Sequence, residues 1–488
     1  MSPLTRSART LCCIALATAL AACGSNLDPQ TVADAGGPGG TAGGAVVPGG
    51  TTAPDGSVPA GGDAGGSTSA GGGAAGGGGG TAAGGGGAAS GGDAPQGKGA
   101  NAAAGAGKAA SCAGFKNQTG ITDKTITIGN ASDISGPVPG LFESAPEAVR
   151  AYVAYFNATS DICGRKLAFA SYDSRTDAAA DQQAYSKGCE QAFAMVGSMS
   201  GFDSGGAATA QSCGLPDIRS ASVTSDRQGC TTCFAAQSVD AHEFQNAVPD
   251  FVKQTYGDAA QHAAMLYINA GAAAENGKTQ AAAMTKRGMK FAYVQGIDIS
   301  EFNYAPYVQQ MKDKDVEYVQ FIGAYQQADR LAEAMKQQGF KPKVYMLDPT
   351  VYTPDYVEAG GDAVEGTTVF ANFTPFEEAG SNKEVQLYLS WLQQVKPGAT
   401  PSFFGLFAWS AARLFAERAI ALGGKLSRAA LVGELKGVTG WTANGMHAPQ
   451  NVGAKRTGPC WRFITLHGGR WSPVGGTKYR CSGTTTVG

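Results

Sequence analysis

Histidine is scarce in this chain, and its four copies, His242, His262, His447 and His467, are scattered. No His pair has helical ligand spacing, and no CxxC pairs with a second CxxC at zinc spacing, so the usual metal signatures are missing. The formal net charge is only -2, which leaves no global electrostatic reason to expect nucleic acid. A hydrolase nucleophile is missing as well. Gly197-Ser198-Met199-Ser200-Gly201 has the outline of a G-x-S-x-G elbow, but Met199 holds the central place. Large apolar residues almost vanish between residues 24 and about 111, where Gly, Ala, Ser, Thr and Pro dominate. Such a segment cannot bury enough surface to offset its chain entropy and reads as a flexible linker. A Gly-rich coil of that length spans on the order of 50 Å, enough to hold a folded domain away from a surface.

The N-terminus carries more information. Arg6 and Arg9 form a weak basic region, and the apolar run Leu11 to Ala22 that follows is too short to cross a bilayer. It ends in Leu20-Ala21-Ala22-Cys23-Gly24, which resembles the lipobox of bacterial lipoproteins. That implies a signal peptide over 1–22, cleavage before Cys23, lipid on the Cys23 thiol and a tether over 23–111. An ordinary secretory signal is the alternative, and either one sends the chain out of the cytoplasm. Of eleven cysteines, setting aside Cys12, Cys13 and Cys23 leaves eight, an even number that in an exported protein points to disulfides. Cys230-Thr-Thr-Cys233 lacks a thioredoxin-like context and reads as a local structural bridge. Cys460 and Cys481 flank a β-rich tail and are expected to pair, Cys189 and Cys213 end consecutive helices and could pair too, and sequence alone does not fix the connectivity.

From about Ile121 the chain alternates strand and helix patterns, beginning with ITIGNASDI, PEAVRAYVAYFNATS and KLAFASYD. A second series starts at HAAMLYIN. Such alternation implies parallel sheets covered by helices, and some 370 residues exceed one core, so two α/β lobes are expected. The break around CTTCFAAQSVDAHEF argues against a single barrel. Ligands of open parallel sheets bind beyond the strand carboxyl ends. There the stretch after Val196 offers glycines, serine hydroxyls and a helix start, a combination suited to a carboxylate. The segment TGPCWRFITLHGGRWSPVGGTKYRC reads as a hairpin turning near His467-Gly468-Gly469, with Trp461 and Trp471 able to pair across it.

Several segments together, in order, resemble the type I periplasmic binding proteins, and in particular the branched-chain amino acid binders of ABC importers. They include ITIGNASDISGPVPG, GRKLAFASYDSRTDAAAD, VGSMSGFDSGG, LPDIRSASVT, VEYVQFIGAYQQADRLAEAMKQQGFKPKVYMLDP and FAWSAARLFAERAIALGG, within roughly 121–450. The resemblance implies two doubly wound parallel-sheet lobes joined by a three-strand hinge. Lobe I would take 112–238 plus 373–450, and lobe II 239–372 plus 451–488. The family's first-lobe loop maps onto Ser198, Ser200, Gly201 and Phe202, and its next loop onto Ser222 and Thr224. Its second-lobe aromatic maps onto Tyr325, with Asn269 and Gly271 in another cleft loop. The carboxylate that neutralises the ligand ammonium has no match in register; Asp348 lies about one position away. Leu141 and Phe142, beside Phe202, would make the pocket more apolar.

The function expected is therefore a lipid-anchored, extracytoplasmic solute-binding protein. It would act as a monomer, without cofactor, metal or catalysis, and deliver a small molecule, an amino acid or related carboxylate, to an ABC permease. Two alternatives belong to other classes: an envelope sensor or scaffold of the same fold acting through protein partners, and a hydrolase. For the second, His242 falls on an inter-lobe helix, His262 before a strand, and His447 and His467 in turns, none poised for catalysis.

Overall fold

The computed structural model describes residues 110–488. The expected signal, Cys23 and all but the last two residues of the expected tether lie outside them.

Two sheets organise the chain. The first is parallel and five-stranded, ordered β2-β1-β3-β4-β5, from β1 (Thr125–Ser132), β2 (Lys166–Asp173), β3 (Ala194–Val196), β4 (Asp217–Ala221) and β5 (Cys233–Gln237). β6 (Glu243–Gln245) follows outside both sheets. The second sheet repeats the same order with β8 (Phe291–Ile297), β7 (Ala263–Ile268), β9 (Tyr318–Ile322), β10 (Val344–Leu347) and β11 (Thr368–Ala371), again parallel. To its β11 edge are added the antiparallel β12 (Cys460–His467) and β13 (Arg470–Val474). β14 (Arg480–Cys481) pairs with β12, and β15 (Thr484–Thr486) with β6. This is the type I periplasmic-binding-protein fold expected from the sequence, with a mixed rather than wholly parallel second sheet. The antiparallel strands are possible because a hairpin needs no crossover helix.

The helices form where apolar residues recur at helical spacing. In Ser144–Thr159, Ala145, Ala148, Val149, Tyr152 and Phe156 make a buried face. It packs on Phe403–Leu422, which is apolar nearly all round and buried from Phe403 to Ala416, so late sequence completes the first core. Ser402 starts that helix by accepting from Gly405 N–H at 3.2 Å. Three crossings join the sheets and lie against one another. Ala448 N–H donates to Asn372 O (2.7 Å), and Ser238 N–H to Gln450 Oε1 (3.1 Å). Asp240 N–H donates to Thr457 Oγ1 (2.9 Å).

Disulfides join Cys112–Cys163, Cys189–Cys213, Cys230–Cys233 and Cys460–Cys481. Three readings from sequence need correction. Trp461 and Trp471 do not face each other: β12 is long enough that Leu466 opposes Trp471, while Trp461 opposes Arg480. His242 lies in a turn before β6, not on a helix. His447 lies not in the turn but just after it, bridged to Phe373; it is buried, stacks on Phe407 and hydrogen-bonds Ser410 Oγ at 2.8 Å. Burial there pulls its imidazole down to about 4, so it is neutral.

Under the first sheet lies a buried ionic cluster. Arg227 pairs with Asp181 (2.9 Å) and Asp217 (3.0 Å), and Arg219 lies 3.7 Å from Asp203, all without solvent exposure. In the second lobe Asp329 is 5% exposed, and neither of its carboxyl oxygens has a hydrogen-bond partner among the described residues. Burial, with Glu333 nearby, pushes its carboxyl up to about 8.

Two stability predictions follow from these groups. Arg227→Met leaves Asp181 and Asp217 buried with too little positive charge and is expected to cost about 3–5 kcal/mol in urea unfolding. Folded Asp329 holds its proton more tightly than the unfolded chain does, so its contribution is lost as pH rises from about 4 to about 8. Asp329→Asn is expected to remove that part of the pH dependence of the urea midpoint; an unchanged slope refutes the assignment.

Candidate functional site

A cavity of about 180 Å³ lies between the two sheets. Its lining comes from the segments just beyond the carboxyl ends of the strands. Gly201 and Phe202 follow β3, Val223 follows β4, Ala270 follows β7, Gly323 follows β9 and Asp348 follows β10. Both sheets have the 2-1-3-4-5 type of order, whose switch point lies between the first and third strands, and ligands sit at such points.

At the switch point of the first sheet stands Asp133, wholly buried. Its carboxylate accepts from Ser174 Oγ (2.6 Å), Thr176 N–H (2.9 Å) and Gly201 N–H (2.8 Å). Burial still raises its pKa, against the hydrogen bonds from Ser174, Gly201, Thr176 and Ser200. Other groups of the Gly197–Gly206 loop are similarly engaged. Ser198 Oγ accepts from Ala131 N–H (3.0 Å), and Ser200 Oγ accepts from Phe202 N–H (3.1 Å). Gly206 N–H donates to Asp181 (2.9 Å). Asp203 takes the Val223 N–H (3.1 Å) and the Thr224 hydroxyl. The glycines serve packing: a Cβ at Gly206 would overlap the Tyr185 ring. The Gly201 and Gly206 amides of the loop read from sequence as a grip for a ligand carboxylate are thus used by the protein's own carboxylates, and the Phe202 amide by Ser200.

The ten residues named from sequence therefore separate. Gly201, Phe202 and Asp348 line the cavity, as do Leu141 and Phe142. Ser198, Ser200 and Thr224 are spent on the internal bonds above. Ser222 is buried outside the lining, Asn269 is exposed, and Tyr325 is half-buried outside the lining. Asp348 caps the short turn Pro349–Val351, its carboxylate accepting from Thr350 N–H at 2.8 Å, and burial raises its pKa. Gly271 acts through the backbone. It has φ +48°, and a Cβ there would overlap the Gly201 carbonyl oxygen across the cleft. Next to it, Ala272 N–H donates to Gly201 O (2.9 Å). Glu275 reaches the other side too, accepting from Ser225 N–H and Ser225 Oγ, both at 2.9 Å. These bonds latch the sheets together at the cleft rim.

Sequence reasoning missed the far wall: Glu243 and Gln245 on β6, Phe404 on the late helix, and Trp461 on β12. β6 is three residues long and carries no period, and only the pairing of β12 with the sequence-distant β11 brings Trp461 beside Phe370. Among the described residues no group of three or more His, Cys, Asp or Glu could hold a metal ion, and no helix is long and apolar enough to cross a membrane.

Two like-ordered sheets meeting tip to tip around a cavity, with interlaced crossings behind it, define a two-lobed cleft-binding protein. The chain belongs to the periplasmic binding protein family, whose description, Periplasmic binding protein, matches residues 125–469. Solved structures with the same fold include a leucine binding protein from Thermotoga maritima MSB8 (14% identity, TM-score 0.63, 74% of this chain and 99% of that one). A fatty acid ABC transporter substrate-binding protein from Thermomonospora curvata also aligns (18%, 0.65, 76% and 95%). So does a solute binding protein of an ABC transporter from Rhodopseudomonas palustris HaA2 in complex with p-hydroxybenzoic acid (16%, 0.61, 74% and 98%). No curated protein matches the chain.

Gly271→Ala places a Cβ against the Gly201 carbonyl in a left-handed conformation that alanine resists. It is expected to break the Ala272–Gly201 latch and raise the radius of gyration measured by small-angle X-ray scattering. An unchanged scattering curve would show that this contact does not hold the cleft shut.

Proposed function

We propose that the protein is a lipid-anchored, extracytoplasmic receptor that captures one small, mainly apolar molecule and presents it, as a monomer, to an ABC permease. The observation that carries this reading is the cavity itself, walled from both sheets by side chains such as Phe142, Val223, Ile268, Ile322, Phe404 and Trp461. Its volume is of the order of the roughly 150 Å³ apolar cavity that accommodates benzene, so a single ring or a short branched chain fits. Burial of such a body supplies about 25 cal/mol per Å² of apolar surface, offset by the cost of closure. Closure needs no bond chemistry: the rim latch of Gly201, Ala272, Ser225 and Glu275 gives the closed state its own contacts. Cys23 as the lipid-bearing residue fits a domain that must stay near a membrane permease.

The relatives' names mention leucine, a fatty acid and p-hydroxybenzoic acid, all carboxylates with apolar bodies. In this chain the Gly201 N–H after β3 is engaged by Asp133, and among the described residues the cavity lining contains no Lys, Arg or His. The apolar body carries over to this chain better than the carboxylate.

Thermal-shift titration of the full chain against small apolar molecules that are anionic, neutral or cationic, with leucine and p-hydroxybenzoate included, tests this reading. At least one is expected to raise the melting temperature with saturable dependence. No stabilisation by any member of the set overturns it.

A further inference from the structure

We propose that Glu243 selects the polar end of the ligand and that this end is a cationic nitrogen. The inference deepens the solute-binding reading and rests on it. Glu243 and Gln245 stand two apart on β6, on the same face of the strand, and both line the cavity. Each is 3% exposed, and Glu243 Oε2 and Gln245 Nε2 have no hydrogen-bond partner among the described residues. Buried polar atoms of this kind are rarely left unpaired, and a ligand group is the partner that a binding cavity provides.

The other carboxylate oxygen is already fixed. Glu243 Oε1 receives the Arg456 guanidinium and the Thr486 hydroxyl, so the side chain is oriented before any ligand arrives. Arg456 is half-exposed on the hinge side and does not line the cavity. Within the lining the charged side chains are Glu243 and Asp348, both acidic. Phe142, Phe404 and Trp461 share the same cavity, and aromatic faces favour a cation. An anionic end would be buried beside two carboxylates with no lining cation, which low dielectric makes costly. A cationic end completes the hydrogen bonding of Glu243.

The strand that places this acid is itself held by the end of the chain. β15 pairs with β6 in the register Thr484–Gln245, Thr485–Phe244, Thr486–Glu243, just beyond the Cys460–Cys481 disulfide. Residues 470–488 lie beyond the 125–469 family match. The selecting residue is thus positioned by sequence that the family match does not include.

Calorimetric titration of the full chain with benzylamine, benzyl alcohol and benzoate, which share one apolar body, tests the proposal. Benzylamine is expected to bind tightest. Glu243→Gln is expected to weaken benzylamine by about tenfold or more while leaving benzyl alcohol nearly unchanged. Thr486→Val, which keeps the charge and the Arg456 contact but removes one of the two groups that orient the carboxylate, is expected to weaken benzylamine by less, and its unfolding midpoint checks that β15 is still docked. Benzoate binding tightest, or Glu243→Gln leaving benzylamine unaffected, overturns the proposal and leaves the cleft reading standing. If none of the three binds, the proposal falls, and the wider thermal-shift set decides separately whether the cleft reading falls with it.

Discussion

Asp133 stands where β1 and β3 part, and the cavity-side rim of the first sheet is built around its carboxylate. It draws in the Gly201 N–H, the Thr176 N–H and the Ser174 hydroxyl, which belong to loops far apart in sequence. Asp203 and Asp181 do the same for the Val223 and Gly206 amides. Their charge is balanced from below by Arg219 and Arg227, neither of which reaches solvent. The tips of the parallel strands are therefore satisfied internally. A rigid, self-contained rim results, and the cavity it borders is left mainly apolar.

That rim gives the cleft its closing contacts. Because Gly201 N–H is taken by Asp133, its carbonyl is held in place to accept from Ala272 across the gap. Gly271 permits the approach because it has no Cβ. On the hinge side, the crossings at Ser238–Asp240, Asn372 and Gln450–Thr457 bond to one another rather than to either sheet alone. Arg456, bridging Asp240 and Glu243, couples these crossings to the cavity wall.

The repeat of strand and helix was legible because buried parallel strands are continuous apolar runs and their covering helices carry a 3.6-residue stripe. Both patterns are local, so β1, β2, β7, β9 and their helices could be placed from sequence. The local Cys230–Cys233 bridge and the Cys460–Cys481 hairpin staple were also legible, since short separations and a hairpin bring those thiols together. The candidate site was less so. A Gly/Ser-rich loop after a strand reads the same whether its amides face a ligand or an internal acid. Asp133, more than sixty positions before Gly201, gives no local sign that it takes that place. His447 shows the same limit, because its burial against Phe407 depends on a helix that starts at Phe403 and returns beneath the first sheet.

Sequence alone determined the class of fold and the apolar character of Leu141, Phe142 and Phe202, because each follows from composition or short-range periodicity. Tertiary structure decided which donors remain for a guest and which acid stands in the cavity wall. Those outcomes depend on side chains brought together from distant segments: Asp133 beneath the Gly197–Gly206 loop, and β15 alongside β6 to orient Glu243. Hydrogen bonding saturates. Once an internal carboxylate has taken an amide, that amide is no longer free for a ligand, and only the folded contacts show which partner took it.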